Sequence, residues 1–454
     1  MTPQQPTRPL ALVMALCGLV LAGCASSTLK VPLLTNEAPT ESARITARID
    51  DPELPSLLAA ARAASPTLAT AAARIERSRA LRIAALAGLK PRVDASALAQ
   101  TGRLLASAPR SDTLSVGMQA SWEIDLFGGR AALAAAAQAR LASTQAQLQF
   151  AHQALAAEVA SSLVTLRACV LQRELSQADS QSREETSRLT ALREKAGFAA
   201  PAVAALARAS AAQGRGLHAV QTAACLKQLK AMVELTALAE SDLQKRLLDT
   251  PRAMPKGQAF AVSEVSAQLL TQRPDLVDAG QIVLAAAADT AVVEAARFPS
   301  LSLAGSIGLG RSTSAGFTQH GNTWSLGPIQ LTLPLFDAGQ RGANERAARA
   351  EYDAAITGYQ GALRRAVREV EQALVALQSS STREGDAMGA ARDFELSLGA
   401  THARYRGGLA SLFELEDARR SALAAQSGLI DLQREHALAW IDLGRALGTD
   451  PTSP

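Results

Sequence analysis

Between Ala131 and Ala196 the chain runs 66 residues without proline or glycine, and its leucines fall at Leu141, Leu148 and Leu155, one every seven positions. Val159, Leu163, Leu166 and Val170 continue the series at three- and four-residue steps, and the same steps return in Ile356, Tyr359, Leu363, Val367, Val370, Leu374 and Leu377. A stripe with this spacing lies along one side of a helix and must be covered by a partner, so both segments predict coiled-coil helices. At 1.5 Å per residue, such a helix extends about 100 Å. The alternative is several shorter helices with unmarked breaks.

A second pattern is duplication. Ser65-Pro66 opens a helical stretch that ends near Lys90-Pro91, and Arg273-Pro274 opens one that ends near Phe298-Pro299, both pairs 208 residues apart. After each closing proline the apolar period shifts to two, as a strand requires. Val93, Leu301, Leu303, Ile307, Leu331 and Leu333 alternate with small or polar neighbours. Both second strands run into related sequences, Asp125-Leu126-Phe127-Gly128-Gly129-Arg130 and Pro334-Leu335-Phe336-Asp337-Ala338-Gly339-Gln340-Arg341, and a long helix starts directly afterwards.

The chain therefore divides into a first repeat over 61–250, a linker over 251–268, a second repeat over 269–447 and a tail over 448–454. The first repeat holds strands at about 92–102 and 114–126 and a helical hairpin at about 131–248; the second holds strands at about 300–310 and 324–335 and a hairpin at about 342–447. A polar loop is expected within each strand pair. The fold class is mainly α with a small β part.

The amino terminus bears on location. Arg8 precedes an apolar stretch from Leu10 to Ala22, followed by Leu21-Ala22-Gly23-Cys24. That stretch is too short to span a bilayer, and the small residues after it suit a cleavage site. It resembles a bacterial lipoprotein signal over 1–23, with lipid on the Cys24 thiol and amine and an N-terminal extension over 24–60. Ala25, where the sorting rule for such lipoproteins uses aspartate for inner-membrane retention, points to the outer membrane. An ordinary secretory signal with a chance cysteine is the alternative. No later segment offers 18 uninterrupted apolar residues, so any crossing by the remaining chain is expected through strands.

Glycines mark the reversals of the helical pairs, at Lys195-Ala196-Gly197-Phe198 and Arg406-Gly407-Gly408-Leu409. An antiparallel hairpin bent at Gly197 sets Cys169 opposite Cys225, a disulfide candidate in an oxidising periplasm; the alternative is two buried free thiols.

Composition removes other function classes. Apolar residues are 48% of the chain but aromatics only 3%, so alanine and leucine carry the packing, as thin helix-on-helix contacts allow. A net charge of +4 without basic runs gives no footprint for nucleic acid. The histidines at 152, 218, 320, 402 and 436 form no HExxH pair, and the chain has no CxxC, Gly-x-Ser-x-Gly or phosphate-binding loop. Neither catalysis nor a cofactor beyond the covalent lipid is expected.

The lipobox, the duplication, the two strand-end sequences and the run from Arg404-Tyr405-Arg406-Gly407-Gly408 to Leu415-Glu416-Asp417-Ala418-Arg419 together resemble the TolC/OprM outer-membrane factor family, in its lipidated NodT-like branch. The resemblance implies a homotrimer in which each chain gives four strands to a shared 12-stranded membrane barrel and its helices to a periplasmic α-barrel. It implies partners too: a periplasmic adaptor and an inner-membrane pump, commonly of the resistance-nodulation-division type. Four strands cannot close a membrane barrel alone, which independently demands that copies combine. Trp122, Phe127, Trp324 and Phe336 are expected near strand ends at the membrane interfaces. For any one strand, a soluble sandwich hairpin is the alternative.

By the same resemblance Tyr405 and Asp417, with Arg404 as a partner, take part in a periplasmic gate, where three Asp417 carboxylates would favour cations. The alternative for Asp417 is a solvated coiled-coil charge. Its first-repeat counterpart, 211 residues earlier, is Leu206. The tips around Gly197 and Gly408 are the expected adaptor contact, although glycine there also serves simply to reverse a helix. Two other functions fit part of the pattern: an exit duct for one-step (type I) protein secretion, and a lipid-anchored coiled-coil scaffold that never spans the membrane.

Overall fold

In the computed structural model the described residues are 50–103, 109–250, 253–255 and 271–448. Cys24 and the signal segment lie outside them, as do most of the linker and the tail after Gly448. The first repeat contains α1 (Leu54–Ala64), α2 (Pro66–Ala87), β1 (Arg92–Gly102), β2 (Ser111–Ile124), α3 (Gly129–Lys195) and α4 (Pro201–Thr236). A short α5 (Glu240–Leu243) continues into a π turn over Gln244–Leu248. The second repeat contains α6 (Pro274–Ala295), β3 (Ser300–Ser314), β4 (Phe317–Thr332), α7 (Gln340–Arg406) and α8 (Leu412–Ala446).

The repeats match in length. Both α2 and α6 have 22 residues, and both α3 and α7 have 67. The start of each strand pair and its end keep the 208-residue spacing, whereas the long helices beyond them start 211 apart. The three extra residues fall in the connection after β4, between Thr332 and Gln340.

The paired strand-end sequences are helix caps. In the first repeat the Asp125 carboxylate accepts from the backbone N–H groups of Arg130 at 3.1 Å and Ala131 at 2.8 Å. In the second, Asp337 accepts from those of Gly339 at 3.0 Å and Arg341 at 3.1 Å. Each carboxylate satisfies donors that the first helical turn leaves open, and negative charge suits that end of the helix. Gly128 (φ 79°) and Gly339 (φ 88°) make the left-handed bend that turns strand directly into helix.

The four strands form one antiparallel sheet in the order β1-β2-β3-β4. One expectation is corrected here. The polar segment over 311–323 is no loop: β3 runs to Ser314, β4 begins at Phe317, and only Ala315 (φ 50°) and Gly316 (φ 83°) turn between them. Two successive residues at positive φ make the tight hairpin turn that matches strand twist. Trp324 consequently sits mid-strand, paired with Ile307, and not at a strand end. β2 likewise begins at Ser111 and ends at Ile124.

The helices are held by local clusters along their length. Leu54, Leu57 and Leu58 pack with Leu163, Leu166, Leu229 and Leu247 in the largest. Leu276, Ala366, Val370 and Trp440 form a second, and Ala207, Leu412 and Leu415 a third near the tips. Arg167, 1% exposed, is neutralised by Asp51, its Nε donating to Oδ2 at 3.0 Å. Both α3 and α6 contain stretches long and apolar enough to cross a bilayer. The α3 stretch is mostly buried within the fold, and in α6 Asp289 is ion-paired with Arg140 while Thr290 bonds the Ala348 carbonyl.

Candidate functional site

Two regions are candidates for functional chemistry: the sheet at one end and the helical tips at the other. Register sorts the strand residues into two faces. One bears Val93, Leu114, Val116, Met118 and Trp122, continued by Leu303, Ile307 and Leu309 on β3 and by Trp324, Leu326, Ile329 and Leu331 on β4. The other bears Asp94, Ser96, Gln100, Ser115, Gln119, Ser302, Ser306, Ser325 and Gln330, with Leu98 as an exception. On this polar face Ser306 and Ser325 share a 2.8 Å hydrogen bond. Apart from the half-buried Trp122 and Leu303 the apolar side chains are exposed, and β1 and β4 each leave one edge without a strand partner within the sheet. Trp122 donates its indole N–H to the Leu89 carbonyl at 3.1 Å, near the helical end of the sheet. Phe127 stacks on Phe298, ring centroids 4.9 Å apart, while Phe336 is exposed.

At the opposite end both hairpins reverse through the same hydrogen-bond pattern. Phe198 N–H donates to the Arg193 carbonyl at 2.7 Å, and Leu409 N–H to that of Arg404 at 2.8 Å, around left-handed Gly197 and Gly408. The second tip then enters α8 through a capping box in which Ser411 and Glu414 bond reciprocally. The backbone N–H of Ser411 holds the Glu414 carboxyl below its ordinary value. Phe198, Leu409 and Phe413 are left strongly exposed at these ends.

The residues singled out by sequence do not converge within one chain. The Tyr405 hydroxyl lies 3.1 Å from Thr190 Oγ1, and the Arg193 guanidinium sits over its ring at 5.7 Å. Arg404 donates to the Leu409 carbonyl at 3.3 Å and approaches Glu414 at 4.0 Å. Asp417 is exposed and pairs with Arg420 at 3.6 Å. Cys169 and Cys225 are joined by a disulfide, with Cα atoms 5.5 Å apart.

The tightest chemistry at this end involves the neighbours of Asp417. Glu416 and Arg419 are 8% and 3% exposed. Glu416 Oε2 accepts from Arg183 at 2.9 Å and from the Ser210 hydroxyl at 2.6 Å, and Oε1 accepts from Arg419 at 2.8 Å. Arg183 also bonds Asp179 at 2.7 Å, and Arg419 bonds Ser182 and Thr186. This network ties α8 of the second repeat to α3 and α4 of the first. Nearby, burial and then the charges of Arg419 and Arg406 push the His402 imidazole below its ordinary value.

Two observations thus stand together, a sheet that is apolar on one face and polar on the other, and long helical pairs carried beyond it. Residues 57–239 and 265–449 match the outer membrane efflux protein family. The chain belongs to that family. It is 31% identical over 333 residues to the outer membrane protein OprJ of Pseudomonas aeruginosa, covering 72% of this chain and 68% of OprJ. To nodulation protein T of Rhizobium leguminosarum bv. trifolii it is 31% identical over 366 residues, covering 77% and 74%. A membrane protein from Pseudomonas aeruginosa superposes with a TM-score of 0.83 at 27% identity, over 90% of this chain and 96% of that one. The chain is accordingly an outer-membrane protein that extends into the periplasm, of a family of channels and not of enzymes. Among the described residues no group of three or more His, Cys, Asp or Glu is placed to hold a metal ion.

Proposed function

We propose that three copies of the chain join their sheets into one 12-stranded barrel and form the outer-membrane channel of a tripartite efflux pump. The two-faced sheet carries this reading. Its apolar face suits hydrocarbon, its polar face suits a water-filled lumen, and its two unpaired edges cannot be left in lipid. Each β1 edge then meets the β4 edge of a neighbouring copy. The conduit is passive: small molecules move through water while an inner-membrane pump, of the resistance-nodulation-division type, supplies energy through a periplasmic adaptor. The adaptor is received at the tips around Gly197 and Gly408, where Phe198 and Leu409 are exposed. Acyl chains on Cys24 anchor the chain to the inner leaflet of the outer membrane.

At rest the tips close the periplasmic end. Asp417, exposed in the single chain and paired there with Arg420 at its own helix surface, meets its counterparts near the trimer axis, while the buried Glu416 network beside it fixes α8 against the first hairpin. Planar-bilayer recording of the purified trimer tests both parts. A conducting trimer whose conductance and cation preference change in Asp417→Ala is expected. A protein that stays monomeric and never conducts contradicts the barrel, and a conducting trimer indifferent to Asp417→Ala contradicts the gate.

A further inference from the structure

The apolar face of the sheet changes character close to its turn ends. Met118 pairs with Ile307 and Val116 with Leu309, both apolar on both strands. One step further Leu114 pairs with Arg311, which pairs with His320 on β4. Beyond that, Asp112 lies between Thr101 and Thr313. Ala99, Thr101, Asp112, Leu114, Arg311 and Thr313 share this face and line a hollow of about 560 Å³.

The charges in the hollow are unequal in their commitments. Asp112 accepts from the Thr101 hydroxyl and, at 3.2 Å, from Arg110 Nε. The Arg311 side chain is exposed and makes no ion pair or hydrogen bond among the described residues. Among the described residues lining the hollow, Arg311 is therefore a guanidinium without a partner, directly above an apolar strip. In the proposed barrel, on which this inference rests, the long helices leave from the other strand ends, so the hollow lies at the exterior surface. There the hydrocarbon ends and lipid headgroups begin.

We infer that Arg311, with His320 and Arg110 beside it, binds a phosphate of an outer-leaflet glycolipid headgroup, whose acyl chains lie on Leu114, Val116 and Leu309. A guanidinium matches phosphate through two parallel N–H donors, a geometry that ammonium lacks. The continuous apolar strip below it is covered by an amphiphile and gains nothing from a free anion. Three copies give three such sites around the barrel.

The test uses full-length protein purified in detergent and stripped of lipid. It is titrated with a bis-phosphorylated, multiply acylated disaccharide lipid, with the same lipid after phosphate removal, and with inorganic phosphate as competitor. Retained lipid is counted by native mass spectrometry. The phosphorylated lipid binds, the dephosphorylated one binds more weakly, and Arg311→Gln weakens the phosphorylated lipid about fivefold, the effect of one basic residue at a charged membrane surface. Arg311→Lys falls between. Equal binding of both lipids, unchanged binding in Arg311→Gln, or displacement by equimolar inorganic phosphate overturns the proposal. Bilayer conductance, recorded on the same samples, separates this outcome from failure of the barrel: a conducting Arg311→Gln trimer with unaltered lipid binding sinks only the headgroup site.

Discussion

The two repeats have nearly the same backbone and different fastenings. Cys169 and Cys225 of the first correspond, 211 residues on, to Ser380 and His436 of the second. Where the first pair is covalently bonded, Ser380 Oγ and His436 Nδ1 lie 3.0 Å apart in a hydrogen bond. Arg208 of the first tip is exposed and meets Glu194 at 3.4 Å; its counterpart Arg419 is buried among Glu416, Ser182 and Thr186. Both hairpins pack on themselves; the first adds a covalent bridge within itself, while the second adds a buried ionic contact to the first. Duplication supplied the frame, and side chains at matched positions divided the mechanical roles.

The largest expected effect comes from cutting the contact between repeats. Glu416→Ala leaves Arg183 and Arg419 facing each other without their shared counter-charge, and removal of one member of a buried ionic group costs about 3–5 kcal/mol. Denaturant unfolding of the solubilised protein measures it. A loss below about 1 kcal/mol would mean that water reaches these guanidinium groups and that the hairpins are not locked there.

Next comes the staple of the first repeat against the bond of the second. Replacing both Cys169 and Cys225 by serine opens a loop closed over 56 residues, worth up to about 4 kcal/mol by chain entropy. Ser380→Ala at the matching site costs only about 1 kcal/mol. Thermal unfolding with and without reductant separates them: reductant lowers the midpoint of wild type and of Ser380→Ala but leaves the double-serine protein unmoved. Insensitivity of wild type to reductant would erase the contrast.

The smallest effect is a pH dependence confined to the second tip, where His402 stands in place of Ala191 of the first. Burial and the nearby Arg419 and Arg406 keep its folded-state pKa below the usual 6.5. Above that pH both folded and unfolded states hold it neutral, and it contributes nothing. As pH falls through 6.5 the unfolded chain takes up the proton more readily, so stability declines. Unfolding free energy followed from pH 7.5 to 5.5 shows this decline in wild type and a flatter line in His402→Gln.

Much of the frame could be read from proline, glycine and leucine spacing, because these residues act locally. Pro66 and Pro274 open helices, Gly197 and Gly408 end them, and the leucine stripe fixes which side is covered. The β3–β4 turn escaped because Ala315 takes a left-handed conformation that alanine seldom adopts, and because Ser312, Thr313, Thr318 and Gln319 look like loop residues in a sheet whose second face is polar. The Glu416 network escaped for a different reason: charges on a coiled coil ordinarily face water, and Arg183 and Glu416 are separated by 233 residues. One trace was present in the sequence. Gly214 stands in the middle of α4, where glycine weakens a helix, and a Cβ there would come within 2.9 Å of the Arg183 side chain.

The glycine-capped junctions between sheet and helix have a mechanical consequence. Each long helix extends about 100 Å from Gly128 or Gly339, where it joins the sheet, so one degree of tilt there would displace the far end by about 1.7 Å. In the proposed channel, rotations too small to disturb the barrel wall would therefore be magnified into shifts wider than a hydrogen bond can tolerate at the distal aperture.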